Sequence, residues 1–238
     1  MKAIKTIAIA ALCILALSSC ARYTSNEKRP AGVTAQDVNE ASYMIGYNFG
    51  QFIAGNKMGA LNLNLIDKGI KDACKGVEID DEEFMSVMDG YMEKVRTALK
   101  DANAAEAEKF FAKNKDAEGV VTTESGLQYK ILREGNGAFP TMEDKVEVNY
   151  EGALLDGTVF ESSFESGQPV QFGLTQVIKG WGEGLQHISE GGEIMLWIPA
   201  DIAYGEYGAG AAIGPNQAIK FRVELIKIIK DEESEETK

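Results

Sequence analysis

Val177-Ile178-Lys179-Gly180-Trp181-Gly182-Glu183 sets one of the chain's two tryptophans behind an apolar pair and between glycines. Glycine permits tight backbone approach, and tryptophan offers the largest apolar surface of any side chain. Gly184, Leu185 and Gln186 follow, so Trp181 is expected at the start of a short helix. Its ring is then either the floor of a cavity or a piece of ordinary core. Such a ring does non-covalent chemistry, and little else is on offer. The chain has one histidine, His187, and three cysteines, Cys13, Cys20 and Cys74. They are too few and too scattered for a catalytic triad, a disulfide framework or a metal centre. His187 falls near the end of the Trp181 helix, where a cation is favourable, and reads as a capping or surface residue.

The elements that position this stretch must come from 238 residues, 45% hydrophobic and 26% charged, enough for one large or two modest globular domains. A net charge of −13 argues against a nucleic-acid partner, which calls for a basic footprint. Lys2 and Lys5 precede an apolar run from Ile7 to Leu17, too short to span a bilayer. Leu17-Ser18-Ser19-Cys20 then resembles a bacterial lipobox, the alternative being a plain signal peptide with an incidental cysteine. Residues 1–19 are therefore expected to be a lipoprotein signal peptide, with Cys20 lipidated and anchoring the chain without spanning the membrane. Ala21 stands where an aspartate would resemble an inner-membrane retention signal, which favours an outer-membrane lipoprotein facing the periplasm. Cleavage would remove two lysines and no acids, taking the net charge from −13 to −15. Residues 20–33 read as the lipidated N-terminus and a flexible tether.

From Thr34 the apolar period is helical, with Val38, Ala41, Ile45, Phe49 and Phe52 three or four apart. Ser42, Gly46 and Gly50 form a stripe of small residues, suited to close packing within one subunit or between two. Asn62 or Asn64 can cap a second helix that stops at Gly76. Cys74 lies on it, as a small buried hydrophobe or, alternatively, in an intermolecular disulfide. Asp80 opens a third helix, with Glu83 as its capping-box partner. No proline interrupts residues 81–115, which predicts about 50 Å of helix at 1.5 Å per residue. Phe84, Met88, Tyr91, Val95, Ala98, Ala102 and Ala105 make a heptad seam. Two short helices cannot cover a seam of that length, so a homodimer through residues 34–118 is expected. Met44, Met58, Met85, Met88 and Met92 are read as core filler or as an adaptable binding surface.

After Gly119 the period falls to two. Val146, Val148 and Tyr150 alternate with Lys145, Glu147 and Asn149, and Asp156-Gly157 is a hairpin signal. Ile194, Leu196 and Ile198, then Ile219, Phe221, Val223 and Leu225, give further strands. Residues 119–230 are thus a sheet domain with one short helix across it, and the fold class is α+β. Tyr204 to Gln217, glycine-rich and aperiodic, reads as a mobile loop or a long connector. Residues 231–238 are an acidic tail expected to be disordered.

Several motifs now stand in order: Val148-Asn149-Tyr150-Glu151-Gly152, Asp156-Gly157-Thr158-Val159-Phe160-Glu161-Ser162-Ser163, Val177 to Trp181, Ile198-Pro199, Ala203-Tyr204-Gly205 and Phe221-Arg222-Val223-Glu224-Leu225. Together, over about Val120 to Ile229, they resemble the FKBP-type peptidyl-prolyl isomerases. Ser42-Tyr43-Met44-Ile45-Gly46 and Ser125-Gly126-Leu127-Gln128-Tyr129 look like the Mip-like and FkpA-like lipoprotein subfamily. The resemblance implies an antiparallel sheet wrapped around a short helix and an N-terminal helical dimerisation domain in a V-shaped envelope dimer. It also implies isomerase activity paired with chaperone activity. It places catalytic residues at Tyr150, Phe160, Glu161, Trp181, Tyr204 and Phe221. Substrate-binding residues follow at Val170, Phe172, Val177, Ile178 and Ile213. The proline ring would rest on Trp181, while the Ile178 N–H and the Tyr204 hydroxyl take substrate carbonyls. Partners would be proline-containing polypeptides, with macrolide-type inhibitors possible by the same resemblance. No cofactor and no metal are implied.

Four positions depart from the family pattern: Glu161 for aspartate, Val170 for an aromatic, Ser166 for arginine and Ala209 for a flap histidine. They bear on rate and sequence preference more than on fold. The chemistry suits the residue types independently. Rotation about an Xaa–Pro bond crosses a barrier of about 20 kcal/mol because the amide loses resonance. No bond is made or broken, so a dry pocket that favours the less polar, twisted amide suffices. Two other readings are kept: a holdase that grips proline segments with little turnover, and an envelope lipoprotein using the sheet only for docking.

Overall fold

Capping and turn residues delimit each element of the computed structural model, which describes residues 29–59 and 61–229. The signal peptide, Cys20 and the acidic tail lie outside the described residues. The described chain divides into two compact units, the first ending at Val95 and the second beginning at Arg96. The periodicity change that placed a boundary at 118/119 follows the end of helix; the compact units divide earlier, inside a helix.

The first unit is helical. Helix α1 (Ala35–Gly55) starts with a complete capping box: Thr34 Oγ1 accepts the Asp37 amide at 3.1 Å and Asp37 Oδ2 accepts the Thr34 amide at 2.7 Å. Helix α2 (Leu63–Cys74) is capped by Asn62, whose side chain accepts from the amides of Asn64 and Leu65. Gly76 turns the chain at φ +78°. Helix α3 (Asp81–Asn114) is 34 residues long. Asp80 Oδ1 accepts the Glu82 and Glu83 amides, satisfying two of its orphan donors. Among the described residues of this unit, Met58 is the one buried hydrophobe, held where the Tyr91 hydroxyl donates to its carbonyl. Tyr43, Ile45, Phe49 and Phe52 of α1, Leu65 and Ile70 of α2, and Phe84 and Val87 of α3 are exposed.

The second unit takes in the C-terminal part of α3 and seven strands. These are β1 (Val121–Thr122), β2 (Gln128–Arg133), β3 (Lys145–Leu154), β4 (Val159–Ser162), β5 (Val170–Gly173), β6 (Glu193–Ile198) and β7 (Ile219–Ile229). They pair antiparallel in the order β1-β2-β6-β7-β3-β4, with β5 on the first half of β3. Helix α4 (Ser163–Ser166) separates β4 from β5, and Ser163 Oγ there accepts the Tyr150 amide at 2.8 Å. Helix α5 (Lys179–Leu185) lies across the sheet. The core between them holds Leu127, Val146, Val148, Leu174, Leu185, Ile188, Ile194, Leu196, Ile198, Ile219, Val223 and Leu225, all essentially sealed from solvent. This is the α+β arrangement the sequence predicts.

Of the expected heptad seam on α3, Met88, Tyr91 and Val95 are half-buried, while Phe84, Ala98, Ala102 and Ala105 are exposed. A different stripe is covered in the C-terminal part: Leu99, Asn103, Ala107, Phe110 and Asn114. The reason is tertiary packing within the second unit. The Phe110 ring packs on Trp197 of β6 at 6.5 Å, the Asn114 amide donates to Gln128, and Gln128 donates to the Phe111 carbonyl. The sheet's solvent face also carries a charge network: Arg222 binds Glu193, and Arg133 bridges Glu193 at 3.5 Å and Glu224 at 2.8 Å.

Candidate functional site: an aromatic pocket over a glycine-packed helix

Helix α5 reaches the sheet because its glycines let it. A Cβ on Gly180 would sit 2.3 Å from Ile198 Cγ2, and one on Gly184 would sit 2.6 Å from Leu196 Cδ2. These two positions, four apart, share the face that meets β6. The close approach buries Trp181 to 3% exposure.

Three rings stand edge-on to it. Tyr150 of β3, Phe172 of β5 and Phe221 of β7 have centroids 5.3, 5.4 and 5.3 Å from the indole, with interplanar angles of 89°, 89° and 77°. Edge-to-face geometry is the favoured aromatic arrangement, worth about 0.5–1.5 kcal/mol per pair beyond area burial. Phe160 of β4 extends the cluster, edge-on to Phe221 at 5.7 Å. Gly152 makes room for both: a Cβ there would lie 2.6 Å from each of the Phe160 and Phe221 rings. Gly152 faces Phe221 directly in the β3–β7 register. The strand motif contains this glycine, and an isolated glycine in a strand signals close approach; which rings come close is set by the pairing of strands distant in sequence.

The remaining site residues gather around the rings. Val170, Phe172, Val177, Ile178 and Phe160 pack against the buried core, and Ile213 is itself buried. Tyr204, 37% exposed, sits at the rim. Ile178 precedes α5, where its carbonyl accepts the Trp181 amide at 2.9 Å. Its own N–H finds no acceptor among the described residues. The buried Trp181 indole N–H is likewise unpartnered there. An unmade buried hydrogen bond costs about 1–3 kcal/mol, so the idle Trp181 indole N–H is a costly arrangement unless something else uses it.

The one charge in the cluster is Glu161. Burial first, then the Glu161 carboxylate beside it, drives the Tyr150 hydroxyl far above its usual value, so it stays protonated well into the alkaline range. Burial and then the same carboxylate raise Tyr204. Both phenols are therefore neutral donors. The structure brings together Tyr150, Phe160, Trp181, Phe172 and Phe221 by ring contact, and Glu161 with Tyr150 and Tyr204 electrostatically.

Three of the four departures have visible local roles. Ser166 Oγ donates to the Ser163 carbonyl at 2.8 Å and closes α4. Ala209 pairs with Ile213 across the loop that ends at Gln217, their amides exchanging bonds of 2.9 and 3.1 Å. Val170 pairs with Val148 at the β3–β5 edge. That loop is more ordered in its bonding than its composition suggests. Gly208, at φ +69°, turns so tightly that a Cβ would lie 2.2 Å from the Ile213 carbonyl oxygen. His187 lies just past the end of α5, as the sequence predicts, and its ring stacks on Tyr129 at 4.4 Å and 8°.

Comparison with known proteins now decides the family. Residues 136–226 match FKBP-type peptidyl-prolyl cis-trans isomerase, and residues 38–131 match the domain amino terminal to FKBP-type peptidyl-prolyl isomerase. The chain belongs to the FKBP-type peptidyl-prolyl isomerases. Among the relatives of this isomerase is a probable FKBP-type peptidyl-prolyl cis-trans isomerase FkpA of Neisseria meningitidis serogroup B. It is 41% identical over 202 residues, which cover 80% of this chain and 74% of the relative. The outer membrane protein MIP of Legionella longbeachae is 33% identical over 224 residues, 90% and 96% of the two chains. The crystal structure of FkpA from Escherichia coli matches with a TM-score of 0.61 at 31% identity, covering 82% of this isomerase and 98% of that chain.

Proposed function

We propose that the pocket over Trp181 is where this isomerase turns Xaa–Pro bonds, with Trp181, Tyr150, Phe160, Phe172 and Phe221 as its apolar walls. The single observation that carries this is the edge-on cage of three rings around a nearly sealed indole, beside idle N–H donors and two neutral phenols. A prolyl ring fits such a cage and loses water in entering it. The planar amide, more dipolar than the twisted one, is less favoured in that dry surrounding, and selective binding of the twisted form lowers the barrier. The Ile178 N–H and the Tyr204 hydroxyl hold the flanking carbonyls and fix the geometry. Burial, reinforced by the Glu161 carboxylate, holds both phenols in the neutral form. Val170, Val177 and Ile213 complete the apolar lining. The rings and amides of this chain supply the whole effect, because the reaction transfers no electrons and no groups.

The finer setting is also proposed. Clients are unfolded or folding proteins of the cell envelope, and holding them is a chaperone activity of the helical unit. The chain is an outer-membrane lipoprotein anchored at Cys20, a reading supported by the lipobox-like stretch and by the relative named outer membrane protein MIP. The exposed Tyr43, Ile45, Phe49 and Phe52 support a homodimer through the helical unit. Macrolide-type ligands are expected to compete for the same pocket.

The test is chain exchange spectroscopy of a short Xaa-Pro peptide with Tyr204→Phe and Glu161→Asp variants. Loss of one carbonyl-holding hydroxyl is expected to lower kcat/KM about five- to tenfold, and Glu161→Asp to leave turnover in place. Unchanged turnover in Tyr204→Phe would remove that residue from the site.

A further inference from the structure

Helix α3 meets the pocket's loop at two points, both within the second unit. Lys100 Nζ lies 2.5 Å from Glu206 Oε2, and Asn103 Nδ2 donates to the Pro215 carbonyl at 2.8 Å. Lys100 and Asn103 are three apart and share a helix face. The two contacts straddle the loop. Glu206 follows Tyr204 by two residues and Pro215 follows Ile213 by two. The limbs are also joined to each other, since the Asn216 amide donates to the Gly205 carbonyl at 3.0 Å, and the second limb is tightened by the Gly214 amide donating to Gln217 Oε1 at 2.8 Å. Each pocket residue on the loop is thus two residues from a helix contact.

We propose that Asn103 is a positioning residue for the isomerase: α3 clamps the base of the 204–217 loop and so sets Tyr204 and Ile213 against the prolyl ring. The inference rests on the pocket assignment made above. The loop needs such a clamp. Gly205, Gly208 and Gly210 all have positive φ, so its own backbone is permissive, and Tyr207 at its tip is 77% exposed. On its core side the loop is anchored by the buried Ile213 and by the partly buried Ala209. Of the two contacts, Asn103–Pro215 matters more. It is partly buried and neutral, whereas the Lys100–Glu206 pair is exposed on both sides, and exposed pairs contribute little. The helix therefore does more than join the two units, for its Asn103 carboxamide holds one edge of the substrate pocket.

The experiment uses the full mature chain. Asn103→Ala keeps a good helix former on α3 and removes the donor, while Lys100→Gln removes the exposed charge. Two readouts are taken: peptide turnover with its kcat and KM separated by exchange spectroscopy, and amide hydrogen exchange along residues 204–217. Asn103→Ala is expected to raise KM about fivefold, the equivalent of one lost hydrogen bond, with faster exchange confined to the loop. Lys100→Gln is expected to change both by less than about twofold. Unchanged KM and loop exchange in Asn103→Ala overturn the proposal. So does a uniform rise in exchange across the sheet, which marks a merely structural role. Turnover absent already in the unaltered chain would instead remove the pocket assignment; loop exchange then still decides whether the clamp exists.

Discussion

The two units solve the same problem in opposite ways. The sheet unit seals twelve large side chains between β-strands and α5, while the described helices of the first unit bury one hydrophobe, Met58. Fully burying an aliphatic side chain contributes about 1.5–3 kcal/mol, so the sheet unit holds itself together. The helical unit presents Ile45 at 72% exposure and Tyr43 at 69%. Exposed apolar patches of this kind mark interaction surfaces. The proposed site lies where the packing is complete, and a cage that discriminates a twisted from a planar amide must be rigid. The proposed association falls to the unit that lacks a core.

The contrast can be broken most strongly by truncating one side chain in each unit. Leu196→Ala, in the sealed core, is expected to cost about 2–5 kcal/mol. Ile45→Ala is expected to cost almost nothing in a monomer, yet to lower stability markedly if a second copy covers it. Both tryptophans, Trp181 and Trp197, lie in the sheet unit. Fluorescence therefore follows that unit alone, and the helical unit is read from the concentration dependence of helix melting. A concentration-independent melt with no effect of Ile45→Ala would remove the dimer reading.

Glycines sharpen the comparison next. Gly180→Ala drives a methyl into Ile198 and is expected to cost about 1–3 kcal/mol by overpacking. A smaller effect is expected from acid. The Arg133 guanidinium, then the Asn149 amide, hold the Glu224 carboxyl below its ordinary 4.5. A depressed folded value stabilises the native state above the unfolded value and loses that contribution as pH falls through the folded one. The fluorescence-detected midpoint should therefore drop as pH falls below the ordinary carboxylate value, and less so in Glu224→Gln. The smallest effect belongs to Gly46→Ala. A Cβ there meets nothing within 4 Å in the single chain, so alanine should favour α1 by about 0.5–1 kcal/mol. Destabilisation instead would place another backbone against the Ser42, Gly46 and Gly50 stripe.

Much of this was legible in the residues. Alternation located β3, β6 and β7, the Asp156-Gly157 pair located a hairpin with Gly157 at φ +98°, and the glycine spacing around Trp181 located α5. Side-chain period is a local property, and these elements obey it. The division of α3 at Val95/Arg96 was not legible, because a helix crosses it without proline or break. Nor was the covered stripe at Leu99, Asn103 and Ala107, which is chosen by Trp197, Gln128 and Pro215, far away in sequence. Composition read the loop from Tyr204 to Gln217 as a mobile segment or a long connector, because the bonds that order it join Ala209 to Ile213, Asn216 to Gly205 and Pro215 to α3, and none leaves a periodic trace. The aromatic pocket was named residue by residue through family resemblance. Its edge-on geometry, and the dependence on Gly152, come only from strand register.

If turnover resides in the indole cage of the sheet unit, loss of the Trp181 ring must abolish it. The direct measurement is prolyl cis–trans exchange in a short Xaa-Pro peptide, comparing the unaltered chain with Trp181→Leu, whose fold is checked by Trp197 fluorescence. A folded variant with exchange reduced at least about a hundredfold is the predicted result, corresponding to roughly 2.7 kcal/mol of lost transition-state binding. A folded Trp181→Leu that exchanges the peptide as fast as the unaltered chain would contradict it.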